Sequence, residues 1–182
     1  DSANAIDENG SIKETAKTFW RDFKEVDGNT PGADGNNVAI GGLDDNIPAP
    51  DKRVIYTDIG AGKLEVSDNT VVSSMQVAMN NSTAEKAKEM LNWMRGISGY
   101  DANNKAIVRE HILGDPLHSK PAAINYETTN GDKTHLIFGT NAGFVHFFED
   151  TGDISATEKW AFVPSELFST QASLKENGLG KV

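Results

Sequence analysis

A mainly β fold of short antiparallel strands joined by long loops is what this sequence predicts, on three observations. Residues 114–164 hold three runs rich in β-branched and aromatic residues, 122–127, 135–140 and 144–149, and a fourth, 159–163, that carries Trp160 and Phe162. Each joint carries a turn signal: Asn130-Gly131 is the pair that tolerates positive φ in a tight hairpin, Asn141-Ala142-Gly143 closes the second turn, and Asp150-Thr151-Gly152-Asp153 opens the third. The chain has 17 Gly and only 37% hydrophobic residues, and its first seventy residues are crowded with Asp, Asn and Gly, so long connections are expected.

Composition excludes some functions. At 182 residues the chain is long enough to bury a core. Its 17 basic and 27 acidic residues give a net charge of −10, which disfavours a phosphate-neutralising groove and repels anionic lipid, so neither nucleic acid nor a membrane surface is an expected partner. No run approaches the length of a membrane span, and the first ten residues have neither Met nor a basic-apolar secretory pattern, as expected of a processed or excised piece. The absence of cysteine leaves the redox compartment open.

In chain order, Ser11 and Glu14 have capping-box spacing, and Ile12, Ala16, Phe19 and Phe23 fall at helical intervals, although Thr18-Phe19-Trp20 suits a strand equally well. Phe19, Trp20 and Phe23 read as core packing. Residues 26–46 read as loop, with one short strand at 38–40. Asp27, Asn29 and Gly32 invite comparison with a calcium loop, but Pro31 stands at the fifth position and Val38 at the twelfth, where a bidentate Glu belongs. A solvated turn cluster is expected there, and at Asp34, Asn36 and Asn37. Pro48-Ala49-Pro50-Asp51 delivers the chain into a strand over 53–57, Gly60-Ala61-Gly62 breaks it, and 63–66 and 70–77 read as a further strand pair around Asp68-Asn69. Ser82 and Glu85 form a capping box that opens a helix over 83–95, with Ala87, Met90, Leu91 and Met94 on one face, Arg95 in the last turn and Gly96 as the stop.

Residues 98–105 read as a polar linker, and 106–113 lead into Gly-Asp-Pro-Leu-His-Ser-Lys-Pro at 114–121, stiffened by Asp115-Pro116 and Lys120-Pro121. His111 and His118 lack a third metal ligand, Asp115 reads as a turn acceptor, and His118 as a hydrogen-bonding anchor of the loop. Along 144–149, Phe144, His146 and Phe148 share one face, with Val145, Phe147 and Glu149 on the other, and His146 reads as an edge or interface histidine. Pro164 opens a short helix over 164–175. The segment thus divides into a loop-rich lead-in with short strands (1–81), a helix (82–97), a meander (114–164) and a short helix (164–175). No nucleophile elbow, P-loop, dinucleotide fingerprint or zincin motif occurs, so no catalytic residue is assigned.

Four short strands in a meander make a propeller blade. Residues 139–153 followed by 158–167 resemble the blade consensus of quinoprotein-like β-propellers. With 114–121 upstream, and Ala49-Pro50-Asp51-Lys52-Arg53 and Leu91-Asn92-Trp93-Met94-Arg95-Gly96 before that, the order is similar to the opening of the C-terminal propeller of PilY/PilC-type adhesins of type IV pili. The resemblance implies the first blade of a propeller with a helix packed outside it. It also implies a non-catalytic secreted module at the pilus tip, exported through the periplasm to the cell surface, that acts in attachment, pilus extension and retraction, and virulence. Implied partners are minor pilins or other pilus components, the remaining blades of the same protein, and a host or abiotic surface.

The residues that carry the resemblance are a loop of structural or interface character, Gly114, Asp115, His118, Ser119 and Lys120, and a blade signature, Gly139, Thr140, Gly143 and Trp160. No cofactor is implied in this segment: the family's calcium loop belongs to a later blade, and no position here matches it. Ala142 departs from the consensus, which usually has Asp there and so an acceptor that steadies the turn. Quinoprotein-like blades also occur in quinone-dependent dehydrogenases and in non-catalytic assembly scaffolds, which stand as alternatives. The signature occurs once, so the chain is expected to open a larger propeller, with Ile137, Phe144, Phe147 and Phe148 exposed on two uncovered faces.

Overall fold

The computed structural model describes residues 5–17, 20, 35, 41–129, 131–151 and 156–176. Its centre is a five-stranded sheet of order β1-β7-β6-β5-β4, formed by β1 (Ile55–Tyr56), β4 (Ala122–Tyr126), β5 (Lys133–Gly139), β6 (Val145–Asp150) and β7 (Ala156–Phe162). Strands β4 to β7 are the expected antiparallel meander, and β1 adds in parallel to the far side of β7. A separate hairpin joins β2 (Ile97–Tyr100) to β3 (Ala106–Val108). With helices α1 (Asn69–Ala78), α2 (Ala84–Arg95) and α3 (Phe168–Lys175), the fold is mixed α/β and carries more helix than the sequence predicts.

Helix α2 forms where expected. Thr83, one residue after Ser82, accepts the Lys86 N–H as N-cap, and Gly96 ends the helix at φ 112° with its N–H on the Asn92 and Trp93 carbonyls. Helix α1 replaces the strand pair expected over 63–66 and 70–77. Asp68 caps it by accepting the N–H groups of Thr70 and Val71, and Val71, Val72 and Met75 bury on one helical face against α2. The local β preference of three valines and a threonine is overridden by that cap and that packing. The linker expected at 98–105 is instead most of the β2–β3 hairpin, turned by Asp101, whose carboxylate accepts the N–H groups of Asn103 and Lys105.

Near the N-terminus Ile6 and Ile12 form an isolated bridge, and no helix spans 5–17. Phe19, Phe23, the 38–40 strand, the 27–38 loop apart from Gly35, Asn130 and Gly152-Asp153 lie outside the described residues. Pro164 precedes a turn of 3-10 helix at Ser165–Leu167 that leads into α3.

Among the described residues, only one face of the meander is left uncovered, which corrects the expectation of two. The three helices pack together over Ile55, Leu64, Met75, Leu91 and Met94, and their core reaches the sheet through Phe144 and Ala161. A second cluster, Phe138, Phe148 and Ala156, covers the rest of that face under Leu43, Ile47 and Leu113. Phe144 and Phe148, expected to be exposed, are therefore buried.

Candidate functional site: a buried clamp under an open aromatic face

The two faces of the meander are chemically distinct. Cross-strand register puts Phe138, His146 and Ala161 in one row of the covered face, with Leu136, Phe148 and Glu158 in the next. Strict alternation from Trp160 would place Glu158 on the open face, but a bulge between β6 and β7 at Phe147/Phe148 adds Lys159 as an extra residue and turns Glu158 inward.

Glu158 is thereby delivered to two bases. Arg53, just before β1, donates Nε to Oε2 at 2.7 Å and Nη2 to Oε1 at 3.1 Å, a side-on fork, and its Nη1 donates to the Met94 carbonyl at the end of α2. His146 Nδ1 lies 2.7 Å from Oε1. The carboxylate can only accept, so Nδ1 is the donor, and Nε2 faces the Thr140 hydroxyl at 3.4 Å. Arg53, Glu158 and His146 are all buried. Burial works to raise the Glu158 pKa, but the His146 hydrogen bond and the Arg53 charge outweigh it and hold the carboxyl below its ordinary value. His146 is thus the centre of a buried network rather than an edge or interface residue.

Hydroxyl, imidazole and carboxylate in line have the connectivity of an activated nucleophile. The surroundings argue for a clamp instead. Arg53 neutralises the carboxylate, the hydroxyl contact is long, and Gly114 packs so close that a Cβ there would lie 3.3 Å from Thr140 Oγ1. What the cluster does is tie the entry to β1, the end of α2, β6 and β7 together.

The loop and blade motifs, separate in sequence, meet in space. Ser119 Oγ accepts the Gly139 N–H at 2.9 Å, the Asp115 carbonyl accepts the Asn141 N–H at 2.8 Å, and Gly114, at φ +75°, sits against Ala142. Asp115 acts through its backbone. His118 and Lys120 are exposed, so Ser119, not His118, is the loop's hydrogen-bonding anchor. Without that acceptor the turn is held by other bonds: the buried Gln171 of α3 donates to the Ala142 carbonyl at 2.7 Å, and the Gly143 N–H, at φ +81°, closes on the Thr140 carbonyl. A Cβ on Gly114 would lie 2.6 Å from the Ala142 Cβ, so these two small residues seat directly against each other.

Trp160, the last signature residue, lies on the open face. There Tyr126, His135, Phe147, Trp160 and Tyr56 form a row across all five strands, with successive ring centroids 5.1, 4.8, 4.8 and 6.3 Å apart. The Phe147 and Trp160 rings are parallel within 5°. Their separation matches the spacing between strands, so the rings stand upright and turn their edges outward. Beside them Tyr56, Val145, Trp160 and Phe162 line a shallow depression of about 380 Å³. Lys133 and Lys159 flank Glu149 at 2.9 and 3.6 Å, and the Lys133 hydrogen bond leads the effects that lower the Glu149 pKa.

The sequence offered no sign of Arg53 or Glu158 as partners, because 105 residues separate them and the bulge that joins them has no local signature. Among the described residues no three His, Cys, Asp or Glu side chains cluster as a metal site, and no helix is long and apolar enough to cross a membrane. No protein-family model, curated protein or solved structure matches the chain.

Proposed function

We propose that the chain is a non-catalytic adhesion and assembly module, the opening blade of a quinoprotein-like propeller in a PilY/PilC-type tip protein of type IV pili. The strongest support is the open aromatic face of a four-stranded antiparallel meander. The stacked Phe147 and Trp160 rings, standing upright with their edges outward, suit close packing against another sheet about 10 Å away. The occupant of this face is the next blade of the same protein. The seating of Gly114 and Ser119 on the blade turn at 139–143 further supports the family reading, since both motifs that carry the resemblance build one corner. The role is secreted and extracellular, with minor pilins and a host or abiotic surface as the remaining partners.

Antibody against the purified chain should label pilus tips by immuno-electron microscopy, and deletion of the gene should abolish surface attachment and pilus retraction. Uniform cytoplasmic labelling, or attachment and retraction at wild-type levels after deletion, would overturn the assignment. The chain is also expected to take up no quinone and to oxidise no alcohol or sugar, because a ligand on a propeller axis is held by many blades. Stoichiometric quinone uptake with dye reduction would favour the dehydrogenase alternative.

A further inference from the structure

Arg109 follows β3, and its N–H donates to the Gly96 carbonyl at 2.8 Å. Its guanidinium lies over the Trp93 ring of α2, 3.9 Å from the centroid, close enough for strong cation–π attraction. No hydrogen bond or ion pair reaches that guanidinium from the described residues. Nε is enclosed without an acceptor, while the two terminal nitrogens are not enclosed. Burial, and then the neighbouring Arg53 charge, lower the Arg109 pKa to about 10 against the pull of Asp44, so the group is cationic at neutral pH.

The neighbouring charges are engaged elsewhere. Asp44 Oδ1 accepts the N–H groups of Ile112 and Leu113 at 3.1 and 2.8 Å, and its Oδ2 faces His111 at 3.7 Å. Arg53 is held by Glu158.

The geometry points to Arg109, held over the Trp93 ring, as the docking point for a single carboxylate carried by a partner polypeptide. The two terminal nitrogens match the two oxygens of a carboxylate in an end-on planar fork, the edge left available when Nε is enclosed. A phosphate dianion suits the site less, because one uncommitted guanidinium faces it in a chain of net charge −10. Tyr100, Ile107 and Val108, exposed on the adjoining β2–β3 hairpin, offer apolar contact to the residues that flank the acid. This inference does not depend on the pilus assignment.

The chain has four arginines, so the Arg109 Nε–Hε signal can be assigned in ¹⁵N-correlated NMR spectra by its loss in R109K. Wild type is titrated with N-acetylglutamate α-amide, N-acetyl-dialanine, inorganic phosphate, and sodium chloride at matched ionic strength. A saturable shift with a roughly millimolar dissociation constant is expected for a carboxylate and not for chloride, and the tighter of the two carboxylates identifies a side-chain or a C-terminal source. Followed through the Trp93 indole signal, binding should weaken at least tenfold in R109Q and also fall in R109K, which keeps the charge, loses the fork and guards against an unfolded R109Q. Shifts that never saturate, phosphate binding tighter than carboxylate, or unchanged binding in both variants would overturn the proposal.

Discussion

Glu158 shows how much one residue decides. It is buried between Arg53 and His146, and its removal leaves a guanidinium desolvated and unpaired, so the loss exceeds what the pair itself contributes. Glu158→Gln is expected to destabilise by about 3–5 kcal/mol, a large part of the stability of an ordinary domain. Urea unfolding at neutral pH measures it, and a loss below about 1 kcal/mol, typical of an exposed pair, would contradict the clamp. The pH dependence has a definite sign. The folded-state carboxyl titrates below its ordinary value of 4.5, so its contribution is complete above that value and declines as the pH falls through the lower folded-state pKa. Wild type should lose urea resistance over that acid range, and Glu158→Gln should lose less of it.

At the scale of elements, the corner between the 114–121 loop and the β5–β6 turn depends on close approach. Gly114→Ala meets two penalties: a left-handed backbone at φ +75°, and a Cβ placed 2.6 Å from Ala142 Cβ. Together they are expected to cost about 2–4 kcal/mol. Gly131→Ala separates the two effects, since its φ is +104° with nothing within 4 Å, and about 1 kcal/mol is expected from backbone alone. Equal shifts in the urea midpoints of the two variants would show that the corner is not tightly packed. Gln171→Leu removes the donor to the Ala142 carbonyl and should destabilise by about 1–3 kcal/mol, read in the same way.

At the scale of the whole molecule, the aromatic row sets the behaviour of the isolated chain. Tyr56 and Tyr126, at its two ends, remain 40% and 48% exposed, so the row continues past the part that the sheet buries. The 182 residues alone are expected to self-associate with rising concentration and to bind a hydrophobic dye. Trp160→Thr, on the open face, should reduce both with a stability change of about 1 kcal/mol, because it removes a surface stack and leaves the core intact. Sedimentation velocity across a concentration series tests this, and a monomer at every concentration in wild type would show that the face has no affinity for other protein.

What the sequence determined by itself was local. Turn residues and alternation placed the four strands of the meander, and a cap, an apolar stripe and Gly96 placed α2, because the forces that set these elements act within a few residues of each other. The resemblance drew attention to the loop at 114–121 and the turn at 139–143, which meet as neighbours across the structure. Helix α1 was not legible, since its β-branched residues argue for strand and it takes burial against α2, added to the Asp68 cap, to favour helix. Tertiary structure alone decided which face of the sheet was covered, and through one bulge it decided that Glu158 turns inward to Arg53 and His146. A bulge shifts the side-chain period by one residue, and a partner 105 positions away leaves no trace in the local pattern, so only the assembled chain brings these charges together.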